Sequence, residues 1–365
     1  MSNSMILAVV LSMTALMTQQ ASALPPSIGT FVLKKGSVKV LTPTKAQSAN
    51  QKYLIFNNQK YTFQTAKLGQ KVRPFQVIQT GSNGKAKIIY PNGDHLMIGP
   101  GSTLTLPGER KTKSQEKSSL KVIYGKLRAL ISKKGPRKNL DVKTKSAVAG
   151  IRGTDFFINH HPSQGTQVTV IRGAVQLEKR QVVDNKDSSQ AQPKKSQQKR
   201  HSQTRRTSKQ GMKTAEPEVE RRNQSKQNTA LVRAGFTGSV QAVPPKKTSA
   251  EKEASQVELV EATKEKLLQV QTQTTIRKEE VQEEIRTLSK ETQDYLNNLE
   301  QKASQAVQED IKSEDPALYE AIENQKLDQS ESINTFVVSE LFKKAPSENL
   351  NQKPSQDEID ALGQD

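Results

Sequence analysis

The chain has 365 residues, room for two or three domains, yet only 33% are hydrophobic, 4% are aromatic, and none is tryptophan or cysteine. Globular domains average about 45–50% apolar residues, so a single large core is excluded, as are disulfides and a lipid-modified cysteine. The net charge of +19 is unevenly spread: residues 24–180 hold 28 Lys and Arg against 6 Asp and Glu, a net of +22, while 181–247 carry +10 and 248–365 carry −13.

Met5 to Met17 is a 13-residue apolar run, followed by polar Thr18-Gln19-Gln20 and small Ala21-Ser22-Ala23. This is the layout of a secretory signal, although Met1 to Ser4 lack Lys and Arg. It predicts residues 1–23 as a signal peptide and a mature start at Leu24. A bilayer span needs about 20 apolar residues, so no transmembrane anchor is expected after cleavage near Ala23. The expected location is the periplasm, the secreted fraction or the cell surface. A basic cytoplasmic protein would point to nucleic acid; export points instead to lipid headgroups, wall polymers or acidic envelope proteins.

Strand signals begin with Gly29 to Leu41, where Val38 and Val40 alternate with lysine. Lys52 to Phe56 and Gln59 to Phe63 flank Asn57-Asn58, a hairpin signal because asparagine tolerates the positive φ of a two-residue turn. Short runs follow at Leu68 to Val72, Pro74 to Gly81, Ala86 to Tyr90, Leu96 to Ile98 and Leu104 to Leu106, punctuated by Pro, Gly, Asn and Asp. Further runs are Leu120 to Val122, Leu127 to Ile131, Leu140 to Thr144, Thr154 to Asn159, Val168 to Ile171 and Ala174 to Leu177. This spacing reads as an all-β domain over 24–184, a twisted sandwich or solenoid-like pair of sheets.

Residues 185–228 are Gln, Ser, Lys and Arg with almost no apolar side chains, which predicts a basic disordered insertion. A closing strand of the same domain is expected within 229–243, around Ala230 to Val240, and Pro244-Pro245 opens a linker over 244–250. Residues 251–345 form an acidic helical region. Leu267, Val270, Val281, Ile285, Leu288, Tyr295 and Leu299, with Thr274, Arg277 and Thr292 in register, trace a weak heptad seam. With neither Pro nor Gly between Pro245 and Pro316, one long helix is expected, either solitary or self-associating as a coiled coil. A second helical stretch covers Pro316 to Lys344, and 346–365 is a polar tail. The acidic region is expected to act on a flexible connection as an electrostatic shield, competing with external polyanions for the basic face.

The segment from Thr144 to Ile158 is a glycine-rich hinge between two strand-like runs, with one arginine and one aspartate inside it. It resembles the signature of the FecR domain, a periplasmic all-β module, in which a Thr-Pro-x-Ala-like turn leads into Val-Arg-Gly-Thr-x-Phe. Thr144, Ala147, Gly150, Arg152, Gly153, Thr154, Asp155 and Phe156 carry the likeness, with Lys145 where that family usually has proline. Asn92-Gly93-Asp94, Gly125 and Gly173 match its turn punctuation, and the resemblance covers about Gly29 to Glu178. Gly153 is expected in a conformation that other residues avoid. Arg152 is read either as pairing with Asp155 or capping open carbonyls, or as contacting an acidic partner.

FecR proteins proper relay an outer-membrane receptor signal to a sigma factor through a cytoplasmic segment. This chain opens on a signal-like run, so that role is not carried over. His160 and His161 should lie at an exposed strand end beside too few ligands for a metal. No serine sits on a Gly-x-Ser-x-Gly elbow, and six acids in the β region leave little for acid–base chemistry. The expectation is a binding or scaffolding protein of the envelope, without cofactor and not an enzyme. Its partner is an envelope protein or, alternatively, an anionic envelope polymer or lipid headgroup; an envelope signalling component is a third reading.

Overall fold

Alternation of apolar and polar residues builds the first two-thirds of the fold. In β2 (Val38–Pro43), Val38 and Val40 are fully buried while Lys39 between them is exposed. The computed structural model describes residues 27–44, 53–109, 118–133, 140–180, 228–242 and 256–346. The signal peptide, nearly all of the basic insertion, the linker and the polar tail expected from the sequence lie outside those residues.

Among the described residues, eighteen strands form two sheets packed face to face. The first, here the open sheet, runs in the order β3 (Tyr53–Phe56), β4 (Gln59–Thr65), β2, β6 (Val77–Thr80), β9 (Thr103–Glu109), the first half of β10 (Ser118–Ile131), β11 (Leu140–Lys143), β12 (Ala147–Ile151), β15 (Ala174–Lys179) and β16 (Thr229–Arg233). The second, the covered sheet, runs β5 (Lys71–Val72), β1 (Gly29–Lys35), β7 (Lys85–Ile89), β8 (His95–Ile98), the second half of β10, β13 (Thr154–His161), β14 (Gly165–Arg172), β17 (Phe236–Val240) and β18 (Glu258–Glu261). All pairings are antiparallel except β10 with β11. Between the inner faces lies one continuous core that includes Phe31, Ile78, Ile88, Leu127, Phe156 and Val170. Each such side chain contributes about 1.5–3 kcal/mol by leaving water.

Four strand expectations change. Gly29 to Leu41 is two strands, because Gly36 turns the chain at φ 63°. Leu120 to Val122 and Leu127 to Ile131 are one 14-residue strand, β10, with Gly125 at φ 98° where it passes from the open to the covered sheet. The segment read as a hinge contains a regular strand, β12, whose Ala147, Ala149 and Ile151 face the core. Residues 229–240 form two strands, β16 and β17, one in each sheet. The Asn57-Asn58 turn has the positive φ its sequence calls for, 49° and 58°.

The expected long helix is broken. Residues 256–346 hold β18, α1 (Lys264–Thr274), a 3-10 turn (Lys278–Val281) leading into α2 (Gln282–Arg286), α3 (Lys290–Glu314), α4 (Pro316–Asn324) and α5 (Ser330–Lys344). Caps, rather than Pro or Gly, set these ends. The hydroxyl of Thr263 accepts from the Lys266 N–H, that of Ser289 from Thr292 N–H, and the Asp315 carboxylate from Leu318 N–H just ahead of Pro316. Lys85 caps the far end of α1, donating from Nζ to the Thr272 and Thr275 carbonyls at 2.6 and 3.0 Å.

These helices form a third layer on the outer face of the covered sheet. Leu267, Val270, Val307, Ile311, Ile333 and Val337 pack with Met97, Leu130, Phe157 and Ile171 of the sheet. Ile276, Val281, Leu299 and Ala303 pack with Val32, Leu33 and Ile89. The seam, expected either to be solvated or to pair with another helix, is therefore largely occupied by the chain's own sheet. In α3 the buried apolar positions are Leu296, Leu299, Ala303, Val307 and Ile311, the spacing of a straight helix lying on a surface, and Tyr295 is left exposed.

Candidate functional site

The residues that carry the sequence motif are divided among three places. Ala147 and Phe156 are core side chains, and Gly150 faces outward on β12, where an added Cβ would meet only Gln176 at ordinary distance. Thr144 closes a buried turn: its Oγ1 accepts from Ala147 N–H at 2.9 Å and lies 2.7 Å from the Thr166 hydroxyl. Ser146 Oγ, at 2.6 Å, and His160 Nδ1, at 3.0 Å, reach the same Thr166 oxygen. His160 is thus buried, contrary to its expected exposure, while His161 is exposed beside Ser163. Thr154 is buried at the start of β13.

Arg152 is exposed in the turn and is not the partner of Asp155. Asp155 faces away from the core, toward the helices, where Arg128 of β10 holds it bidentately, Nε to Oδ1 at 2.9 Å and Nη2 to Oδ2 at 2.6 Å. Strand parity explains the choice. Asp155 stands opposite Leu130 on β10, and Arg128 is two residues away on the same face, whereas Arg152 precedes a reversal of the chain.

Gly153 reverses the chain at φ 63°, and a Cβ there would collide with the Lys133 side chain and approach its Cα to 2.9 Å. Gly153→Val is expected to lower stability by about 2–4 kcal/mol, read as a drop in melting temperature. Gly150→Ala, with room on the outer face, should cost less than 1 kcal/mol.

The concentrated charge lies between the covered sheet and the helices. Lys87 of β7 is buried, with Nζ 3.1 Å from Glu300 Oε1, 3.4 Å from Glu331 Oε2 and 2.9 Å from Ser330 Oγ. Arg172 of β14 reaches Glu314 at 2.8 Å and Asp310 at 3.8 Å, and Lys133 reaches Glu314 at 2.6 Å. Lys34 and Lys35 at the end of β1 meet Glu284 and Glu280 at 3.0 and 3.1 Å. In each of these pairs the cation comes from the β domain and the acid from the helical layer. The acidic region does meet the basic face, but as a packed layer rather than a tethered shield.

Sequence reasoning missed this set. Its signal is a single cation inside an otherwise apolar strand, as in Lys87-Ile88-Ile89-Tyr90 and Leu127-Arg128-Ala129-Leu130, which marks a strand covered on both faces.

His95 of β8 is completely buried in this layer, and neither ring nitrogen has a hydrogen-bond partner. Burial, with Lys87 adding to it and Glu300 opposing, pushes its pKa down to about 3. Burial alone would raise Glu300, but Lys87 outweighs it and holds that carboxylate at about 2. Keeping His95 neutral contributes fully above about pH 6.5 and is lost as pH falls toward 3, because the unfolded chain takes up the proton first. The Glu300 contribution is present above its ordinary value of 4.5 and is lost as pH falls through about 2. Both favour loss of stability in acid. The His95 share amounts to about 2 kcal/mol between pH 6.5 and 4.5. His95→Leu, beside Ile89 and Leu130, should be neutral or stabilising at pH 7.5 and should flatten that slope in urea unfolding.

The outer face of the open sheet has no helical layer among the described residues, although at its β4–β2–β6 end Leu41, Tyr61 and Val77 form a small buried cluster with Leu54 and Phe56. It carries Lys39, Lys121 and Lys143 together with exposed Phe63 and Phe75. Phe75 sits over Gly108 at φ 63°, an unusual backbone for an aromatic residue, in a turn closed by Gln76 Oε1 accepting from Arg73 N–H at 2.8 Å. Among the described residues, no helix is long and apolar enough to cross a membrane.

No curated protein matches the chain. The similar solved structures include two of a candidate anti-sigma factor from Parabacteroides distasonis, at 2.50 and 1.65 Å resolution. They share 10% and 11% identity with TM-scores of 0.30 and 0.31, covering 51% of this chain and 59% of theirs. This chain therefore spans about three-fifths of the length of those proteins, and at such scores the likeness carries no argument. The family model described as FecR protein matches residues 76–176. That interval runs from β6 into β15 and includes the whole Thr144–Ile158 motif.

Proposed function

We propose that the chain is a non-catalytic protein-interaction module of the bacterial envelope, acting after export and signal cleavage near Ala23. In it the C-terminal helices close one sheet and the open sheet receives the partner. The observation that carries this reading is the unequal treatment of the two outer faces. On the covered sheet, Lys34, Lys35, Lys87 and Arg172 are matched by acids of the helical layer, whereas the open sheet presents Phe63 and Phe75 beside Lys39 and Lys121, and its Lys143 pairs only with Asp141 of the same strand, at 3.8 Å. Exposed aromatic side chains flanked by cations are the residue types that anchor protein interfaces. The family match supports a role connected with envelope signalling or assembly.

The second reading, an anionic polymer or lipid surface, draws on Lys39, Lys121 and Lys143 sharing that face. Capture of partners from envelope extract by the full chain and by a Phe63→Ser/Phe75→Ser variant separates the two. The protein-interaction reading expects a discrete partner retained at 0.5 M salt, where polyanion contacts are screened, and lost with the aromatic pair. Binding to wall polymer or anionic vesicles that salt abolishes and the aromatic changes leave intact would favour the second reading.

A further inference from the structure

Two four-residue strands end their sheets at opposite poles of the sandwich. Among the described residues, β3 is hydrogen-bonded only to β4 and closes the open sheet, while β18 is bonded only to β17 and closes the covered sheet. Each offers a row of backbone groups to a further strand. Each also presents apolar side chains to water: Tyr53 and Ile55 of β3 are 51% and 67% exposed, and Leu259 and Val260 of β18 are both 46% exposed.

Their charges are opposite. The pole that carries β3 belongs to a stretch, Leu24 to Gly93, that contains no Asp or Glu. Lys60, opposite Ile55 on β4, places its ammonium 4.7 Å from the centre of the Tyr53 ring. In contrast, β18 reads Glu258-Leu259-Val260-Glu261, all four exposed.

We propose that β18 of one copy adds to the open edge of β3 of the next, so that the chain assembles head to tail. An antiparallel, in-register pairing sets Leu259 against Ile55, Val260 against Leu54, and Glu261 beside Tyr53 and the Lys60 ammonium. The same charges disfavour the symmetric alternative: β18 against β18 would place Glu258 directly opposite Glu261 of the second copy. A contact between two different edges is not self-complementary, so a pair of copies still leaves one of each edge free, and assembly continues into a ring or an open chain. This goes beyond the partner-binding reading, because it uses the strand edges rather than the outer face of the open sheet.

The test is sedimentation equilibrium of the full chain at low salt over a wide concentration range. The expected result is an average mass that rises past two copies. Lys60→Glu and Glu261→Lys should each weaken association about fivefold or more, and the double variant should restore it. Melting temperatures check that each variant is folded, and Leu259→Lys replaces Lys60→Glu should the latter disturb the β3–β4 hairpin. A mass that stays at one copy, a mass that stops at two, or a double variant no better than either single change would each overturn the proposal.

Discussion

Asp155→Ala is expected to lower the free energy of unfolding by about 3–5 kcal/mol, because it strands the Arg128 guanidinium in a place water does not reach. Arg128 is 1% exposed, and Asp155 accepts both of its side-chain hydrogen bonds to carboxylate. Burial works against the charge on Arg128, and Asp155 more than offsets it. The cost therefore lies in breaking the pair, not in lacking it. Replacing both members with apolar side chains, Arg128→Met with Asp155→Leu, should recover most of the loss, since Met97 and Phe157 stand directly opposite Arg128. Lys34→Ala, at the rim of the same layer, should cost less than 1 kcal/mol. Urea unfolding of the four proteins reads the series.

A larger effect is expected from ending the chain after Ala242. That truncation uncovers Val32, Leu33, Ile89, Met97, Leu130, Phe157 and Ile171 and leaves Lys87 and Arg172 without their acids. At about 1.5–3 kcal/mol per large apolar side chain, the loss exceeds about 10 kcal/mol, comparable with the whole stability of a domain. The truncated protein should aggregate or bind hydrophobic dye, and should show no cooperative melt. A tethered electrostatic shield predicts the reverse, a stable β domain with a tighter hold on polyanions.

Much of the β architecture was legible because its signals are local. Alternation placed Val38 and Val40 inward, the Asn57-Asn58 pair announced its own turn, and Gly153 sits in the backbone conformation its motif implied. The helical region was harder to read because its periodicity is satisfied equally by a second helix and by a sheet. Pro316 was read as the boundary between two helical stretches, whereas the Ser289 cap was the visible cue to a break within the first, and weighing only internal Pro and Gly passed over it. The Arg128–Asp155 pair is a cross-strand contact between residues 27 positions apart, and sequence proximity favoured Arg152 instead. His160 was read as a surface group because burial of a lone imidazole depends on what packs above it.

The two sheets also differ in what they leave available. Closure of one face by the chain's own helices leaves Phe63 and Phe75 of the open sheet and the edge strands β3 and β18 exposed. Under this account the helical layer is part of the folded β domain, held first by apolar contact and only second by ion pairs.

Amide hydrogen exchange of the full chain at 0.05 and 1 M salt tests that claim most directly. The account predicts that the amides of α3 exchange as slowly as those of β10 and stay protected at high salt, opening only with the whole domain. Fast exchange of α3 at 1 M salt, with β10 still protected, would contradict it, because the helices would then be held to the sheet by charge alone.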